Sequence, residues 1–133
     1  MTPIDSLSAI ETVTLFVDDL SDSASFYKDV FPHDVLHEDD VSCLIGLGNL
    51  MLNLLLASEA GMLIEPLPVA TRDAGSRMLL TIKVDGVDDV CEALERRGIP
   101  LLNGPIDRPW GRRTAAFADP SGHVWEIAQE LEP

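Results

Sequence analysis

The feature that most constrains this chain is that its opening pattern occurs twice. Met78–Asp85 aligns with Glu11–Asp18 at a constant spacing of 67 residues, setting Thr81 on Thr14, Ile82 on Leu15, Val84 on Val17 and Asp85 on Asp18. Ile10–Val17 alternates, with Val13, Leu15 and Val17 on one face and Thr12, Thr14 and Phe16 on the other. That is the periodicity of a half-buried strand rich in β-branched residues. In both copies a helical pattern follows. After Asp18-Asp19-Leu20, Ser21 or Asp22 is placed to cap a helix running to Phe31, with Phe26/Val30 and Tyr27/Phe31 at i,i+4 spacing, and Pro32 stops it. Val87-Asp88-Asp89 opens the second helix, which runs to about Arg97 and is ended by Gly98 and Pro100.

Short strands complete each copy. The first continues as a meander of His33–Glu38, Val41–Leu47 and Leu50–Ala57, turning at Asp39-Asp40 and Gly48-Asn49. Gly61, Pro66, Pro68 and Gly75 mark residues 58–76 as a linker. The second copy continues with a short strand Ile99–Asn103, a loop Gly104–Arg112, a strand Arg113–Asp119, the turn Asp119-Pro120-Ser121-Gly122 and a last strand His123–Glu130. The 133 residues therefore read as one α+β domain of two β-α-β-β-β modules, about 10–57 and 77–131. Side by side they form a curved mixed eight-stranded sheet with helices on its convex face. Thr12, Thr14, Phe16, Leu79, Thr81 and Lys83 fall on the concave face, a mixed polar and apolar surface suited to a small-molecule ligand.

Charge narrows the partners. Twenty-three acids against nine bases give a net charge of −14, which repels phosphate backbones and anionic lipid, so neither nucleic acid nor a membrane surface is expected. The apolar run Cys43–Ala57 is interrupted by Gly46, Gly48, Asn49 and Asn53 and does not read as a membrane span. The start lacks the basic and apolar pattern of a signal peptide, and Cys43 and Cys91 show no paired spacing. Two free thiols and a cytoplasmic location are expected.

The segments Val13-Thr14-Leu15-Phe16-Val17-Asp18-Asp19-Leu20 with Phe26-Tyr27, and Phe117-Ala118-Asp119-Pro120-Ser121-Gly122-His123-Val124-Trp125-Glu126-Ile127, resemble the vicinal oxygen chelate superfamily. That superfamily includes glyoxalase I, bleomycin-resistance proteins and extradiol dioxygenases. The likeness spans Ile10 to Leu131. In metal-dependent relatives it implies a divalent ion held by a His on each module's first strand and a carboxylate or other polar group on each module's last. Carried over by position, these places fall on Thr12, Leu79, Glu126 and, with a one-residue adjustment, Asn53 (Leu52 without it). One carboxylate, two weak neutral oxygen donors and a hydrocarbon make a poor metal site, so no metal cofactor is expected; if one binds, Glu126 is its ligand.

Other residues carry weaker signals. Glu126 shares its parity with Val124 and Ala128, opposite Trp125 and Ile127, and pairs with Arg113, Lys83 or a hydroxyl if its role is structural. His123 lies on the opposite parity from Glu126, and His33 and His37 sit among surface acids. Trp110, in the loop Pro109-Trp110-Gly111, is either a stacking platform for a flat ligand or a plug at the sheet edge. Arg113 is placed to face the groove and Arg112 to face solvent. No nucleophile motif or phosphate loop occurs. The expectation is a metal-independent drug- or natural-product-binding protein with Thr12, Asn53, Leu79, Trp110, Arg113 and Glu126 at its site. The alternative is a metal-dependent lyase or isomerase of the glyoxalase type with a non-standard site. The resemblance, together with the apolar Met62-Leu63-Ile64, implies a homodimer.

Overall fold

The computed structural model describes residues 1–132 and divides into two compact units, Met1–Val69 and the part from Ala70 onward, each built on its own four-stranded sheet. The first unit comprises β1 (Thr12–Val17), α1 (Leu20–Val30), β2 (Asp34–Glu38), β3 (Ser42–Leu47), β4 (Leu50–Leu56) and α2 (Ala57–Ile64). Its strand order is β1-β4-β3-β2, with β1 parallel to β4 and the other pairs antiparallel. Alternation decides the core. Leu15, Val17, Cys43, Ile45, Leu52 and Leu54 are buried on one parity of the sheet, and α1 packs on β3 and β4 with Ser23, Ala24, Tyr27 and Phe31 buried. The Tyr27 and Phe31 rings stack with centroids 5.3 Å apart. Burying each such leucine or valine is worth about 1.5–3 kcal/mol, which holds the helix to this one parity.

Two sequence expectations change here. The cap of α1 is Asp19, whose extended backbone lets its carboxylate accept the Asp22 amide at 2.9 Å. Ser21 and Asp22 lie inside the first turn, where an acid favours the helix dipole. The supposed linker 58–76 contains most of α2, which packs on β1 and β4 with Ala60 fully buried. Gly61 concealed it, since a mid-helix glycine is tolerated at a modest cost when the helix has a surface to cover.

The second unit comprises a single 3-10 turn (Arg72–Ala74), β5 (Leu80–Lys83), α3 (Val87–Arg96), β6 (Leu101–Arg108), β7 (Arg112–Ala118) and β8 (Val124–Glu130), in the order β5-β8-β7-β6. Again the outer strand β5 runs parallel to the last strand, β8. Val87, Cys91 and Leu94 of α3 are buried with Ala115, Phe117, Trp125 and Ile127 of the sheet. Gly98 ends the helix as its sequence suggests. Its φ of +72° permits bonds from the Gly98 and Ile99 amides back to the Glu95 and Leu94 carbonyls, at 2.9 and 3.0 Å.

The loop expected at 104–112 is mostly strand. β6 continues to Arg108 through register shifts at Leu101/Asn103 and Asn103/Ile106. Pro105 sits within the second irregularity, where its missing N–H removes no ladder bond. Gly104 makes the irregularity feasible. It has φ +92°, and an added Cβ would lie 2.7 Å from Ala115 Cα.

The two mid-chain glycines therefore respond in opposite ways. Gly104→Ala should lower stability by about 3 kcal/mol or more through positive-φ strain and backbone collision. Gly61→Ala, with nothing within 4 Å of the added methyl, should raise it by about 0.5–1 kcal/mol. Urea melts followed by circular dichroism measure both.

Candidate functional site

Strand pairing sets the polar positions. In the first unit the parallel register puts Thr14 beside Asn53 and Thr12 beside Met51, and Leu44 of β3 is Asn53's other neighbour. Thr12 and Asn53 thus share the face away from the α1-covered core. The Thr12 hydroxyl donates to Glu11 Oε1 at 2.9 Å. An open depression of about 490 Å³ at the β3–β4 turn is bordered by Glu11, Asp34 and Met51 but not by Asn53, so these donors do not form it.

In the second unit the equivalent pairing puts Thr81 beside Glu126, with Ala116 on Glu126's other side. The Thr81 hydroxyl donates to Glu126 Oε1 at 3.0 Å, so a hydroxyl, and neither Arg113 nor Lys83, is the partner of this carboxylate. Leu79 precedes β5 by one residue and is half exposed. It offers only hydrocarbon. Among the described residues no three His, Cys, Asp or Glu side chains converge as a metal cage. His33 Nδ1 bonds the Phe31 carbonyl and His37 Nε2 bonds Asp39, each at 2.9 Å. Taken unit by unit, Thr12 with Asn53 and Leu79 with Glu126 supply no imidazole and a single carboxylate, so neither pair fits the divalent ion of metal-dependent relatives, which calls for imidazole and carboxylate together.

Arg113 faces away from Glu126. Its cross-strand partner is Gln129, whose side-chain oxygen accepts the Val87 amide at the start of α3. From that side Arg113 binds Asp107 at 2.7 Å and Asp88 of α3 at 3.1 Å. The Asp107 hydrogen bond holds the guanidinium pKa above its ordinary value, and Arg113 in turn holds the Asp107 carboxyl below the usual range. Arg112 has the parity of Glu126 and is paired with Glu130 at 2.7 Å. Arg113 has the parity of Ala115 and Phe117, on the α3 side of the sheet, which is why it does not face Glu126 and meets Asp88 and Asp107 instead.

Two cations share the Glu126 face: Lys83, whose register partner is Ala128, and Arg108, which the alternation had not singled out. Arg108 shares the parity of Thr114 and Glu126, and its Nε donates to the buried Thr114 hydroxyl at 2.9 Å. One Nη reaches Asn103 Oδ1 at 3.4 Å. Trp110, in the β6–β7 turn, is 67% exposed with its ring centroid 5.9 Å from the Arg108 guanidinium carbon. Extending the alternation through the Gly-Pro irregularity is the signal that finds Arg108.

Residues 9–127 match the model of the glyoxalase/bleomycin resistance protein/dioxygenase superfamily. The chain belongs to that superfamily. Its fold is that of solved members: a Nocardioides glyoxalase/bleomycin resistance protein/dioxygenase is similar with a TM-score of 0.82 and 24% identity, over 94% of this chain and 85% of that one. TnmS3, an antibiotic binding protein from Streptomyces sp. CB03234, is similar with a TM-score of 0.69 and 25% identity, over 92% and 96%. The metallothiol transferase FosB of Staphylococcus saprophyticus is 28% identical over 91% of this chain and 76% of its own length. The superfamily thus contains both a metal-using transferase and a binding protein on one fold.

The Arg113 clasp gives a pH prediction. Asp107 has a lowered pKa in the folded state, so its stabilising effect is complete above the unfolded value of 3.8 and is lost as pH falls through the lower folded value. Asp39, lowered chiefly by its His37 hydrogen bond, contributes on the same acid limb. Arg113→Gln should flatten the loss of thermal stability between about pH 4 and pH 2, relative to the parent chain, in melts at stepped pH.

Proposed function

We propose that this superfamily member is a metal-independent small-molecule-binding protein that sequesters a drug or natural product. The composition of the four donor positions carries this reading. Thr12, Asn53 and Leu79 offer no charged or imidazole ligand, and Glu126 is engaged by Thr81. A carboxylate in that setting serves better as a hydrogen-bond acceptor for a ligand than as a lone metal anchor. Exposed Trp110 supplies a ring on which a flat molecule stacks. The likeness to the antibiotic binding protein TnmS3 supports the same reading. A homodimer is part of the proposal, because Met62 and Leu63 leave apolar surface on α2; light scattering at a monomer mass would remove it. A cytoplasmic location rests on the two buried free thiols.

A second reading rests on Glu126 itself. Thr81 bonds one carboxylate oxygen, and the other can take a proton from a substrate or join a non-standard metal site in a lyase or isomerase. Elemental analysis of the purified protein, with melts in manganese, iron, nickel and zinc salts, separates the two. The binding reading expects no bound metal and no shift. A shift of about 5 °C or more that disappears in Glu126→Ala would establish the metal-dependent reading instead. The same melts against a broad set of flat drugs and natural products should yield stabilising ligands, and complete silence across that set would defeat the binding reading.

A further inference from the structure

Resting on the proposed binding function, we propose that Arg108 is the anion-recognising group of the site, and that the ligand joins a carboxylate- or phosphonate-like anion to a flat ring seated on Trp110. The two arginines of β7 are each discharged by carboxylates, Arg112 by Glu130 and Arg113 by Asp107 and Asp88. Arg108 is half-buried, yet among the described residues no carboxylate lies within ion-pair distance of it. It is held instead by neutral acceptors, the Thr114 hydroxyl and the Asn103 carbonyl oxygen. These fix the direction of the planar fork without cancelling its charge. Two of the five N–H groups are used, and the remainder suit a two-oxygen anion approached edge-on. Partial burial strengthens that attraction relative to a solvated arginine.

Glu126 gives the site a polarity. Across the β7–β8 ladder Thr114 pairs with Ala128 and Ala116 with Glu126, so the carboxylate lies one same-face step along the sheet from the threonine that holds Arg108. The side chains between them, Ala116 and Ala128, are small. A ligand anion is drawn toward Arg108, with Lys83, the β5 neighbour of Ala128 on the same face, adding to the attraction, while Glu126, bonded to Thr81, accepts a hydroxyl or amine. The chain's net charge of −14 does not oppose this at close range, because charges beyond about 8 Å are screened at physiological salt.

Trp125 is buried, so Trp110 dominates fluorescence quenching by added solutes. The intact protein is titrated with 4-nitrobenzoate, 4-nitrobenzyl alcohol and 4-nitrobenzylammonium, with Trp110→Phe as the quenching control and calorimetry as a second readout. The carboxylate should bind at least tenfold more tightly than the alcohol, and 0.5 M NaCl should shrink the margin. Arg108→Gln should abolish the preference for the carboxylate over the alcohol, and Arg108→Lys should keep part of it. Unchanged melting of each variant excludes loss of fold as the cause. Equal binding of all three probes, tighter binding of the ammonium, or an undiminished preference in Arg108→Gln overturns the anion site and leaves small-molecule binding standing. No binding by any probe overturns the anion site, and the separate drug and natural-product screen decides the broader reading.

Discussion

The arrangement depends on one constraint, the parallel pairing of each unit's first strand with its last. β1 and β4, and β5 and β8, are far apart in sequence and are joined through a helix and two further strands. What locks their register is the side-chain period of two. Sliding β1 by one residue on β4 would turn the buried Leu15 and Val17 to the other side of the sheet and put Thr14 and Phe16 in their place. Because burial forbids that slip, the opposite parity is fixed as well. Thr14 must then stand beside Asn53, and Thr81 beside Glu126.

Placement of the charged groups follows from the same rule. Arg112 and Arg113 are adjacent and chemically identical, yet one parity leads to Glu130 and the other to Asp88 on α3. Arg113 is therefore a tie between helix and sheet, reinforced by Asp107 from β6. Arg108 lies on the Glu126 face after two register shifts in β6, the one at Asn103–Ile106 restoring the alternation that the one at Leu101–Asn103 had reversed. Gly104 is the local condition for the second shift, since only a residue without a side chain fits its close approach to Ala115. A backbone detail some distance from the carboxylate thus bears on whether Arg108 shares its surface.

The repeated unit was legible in the sequence because apolar alternation and helix-stop residues recur at one spacing. The leucine-rich Leu50–Leu56, the Gly98 stop and the facing of Trp125 and Ile127 all followed from those local rules. Asn53 was reached by the same alternation. Misreadings arose where local chemistry pointed one way and tertiary context another. Gly61 disguised α2, whose stability comes from burying Ala60, and Gly104-Pro105 disguised the second half of β6. The Arg113 assignment failed for a different reason. Its alternation with Ala115 and Phe117 already sets it on the helix side, whereas the aspartates it meets there, from α3 and β6, lie beyond what single-chain periodicity can show.

Residues that hold the fold and residues that face a ligand occupy alternate positions on the same strands, which bears on how family membership should be used. Replacing Thr14, Asn53, Thr81 or Glu126 by another polar residue disturbs no member of the buried sets under α1 or α3. Chemistry on this scaffold can therefore change at little cost to stability, which fits a superfamily whose members include both a transferase and a binding protein. The function of such a chain has to be argued from the parity that does not hold it together. In the second unit that parity carries Glu126 with its Thr81 bond, Arg108 held by Thr114, the Arg112–Glu130 pair and Lys83, and these are the groups that a ligand on this face would meet.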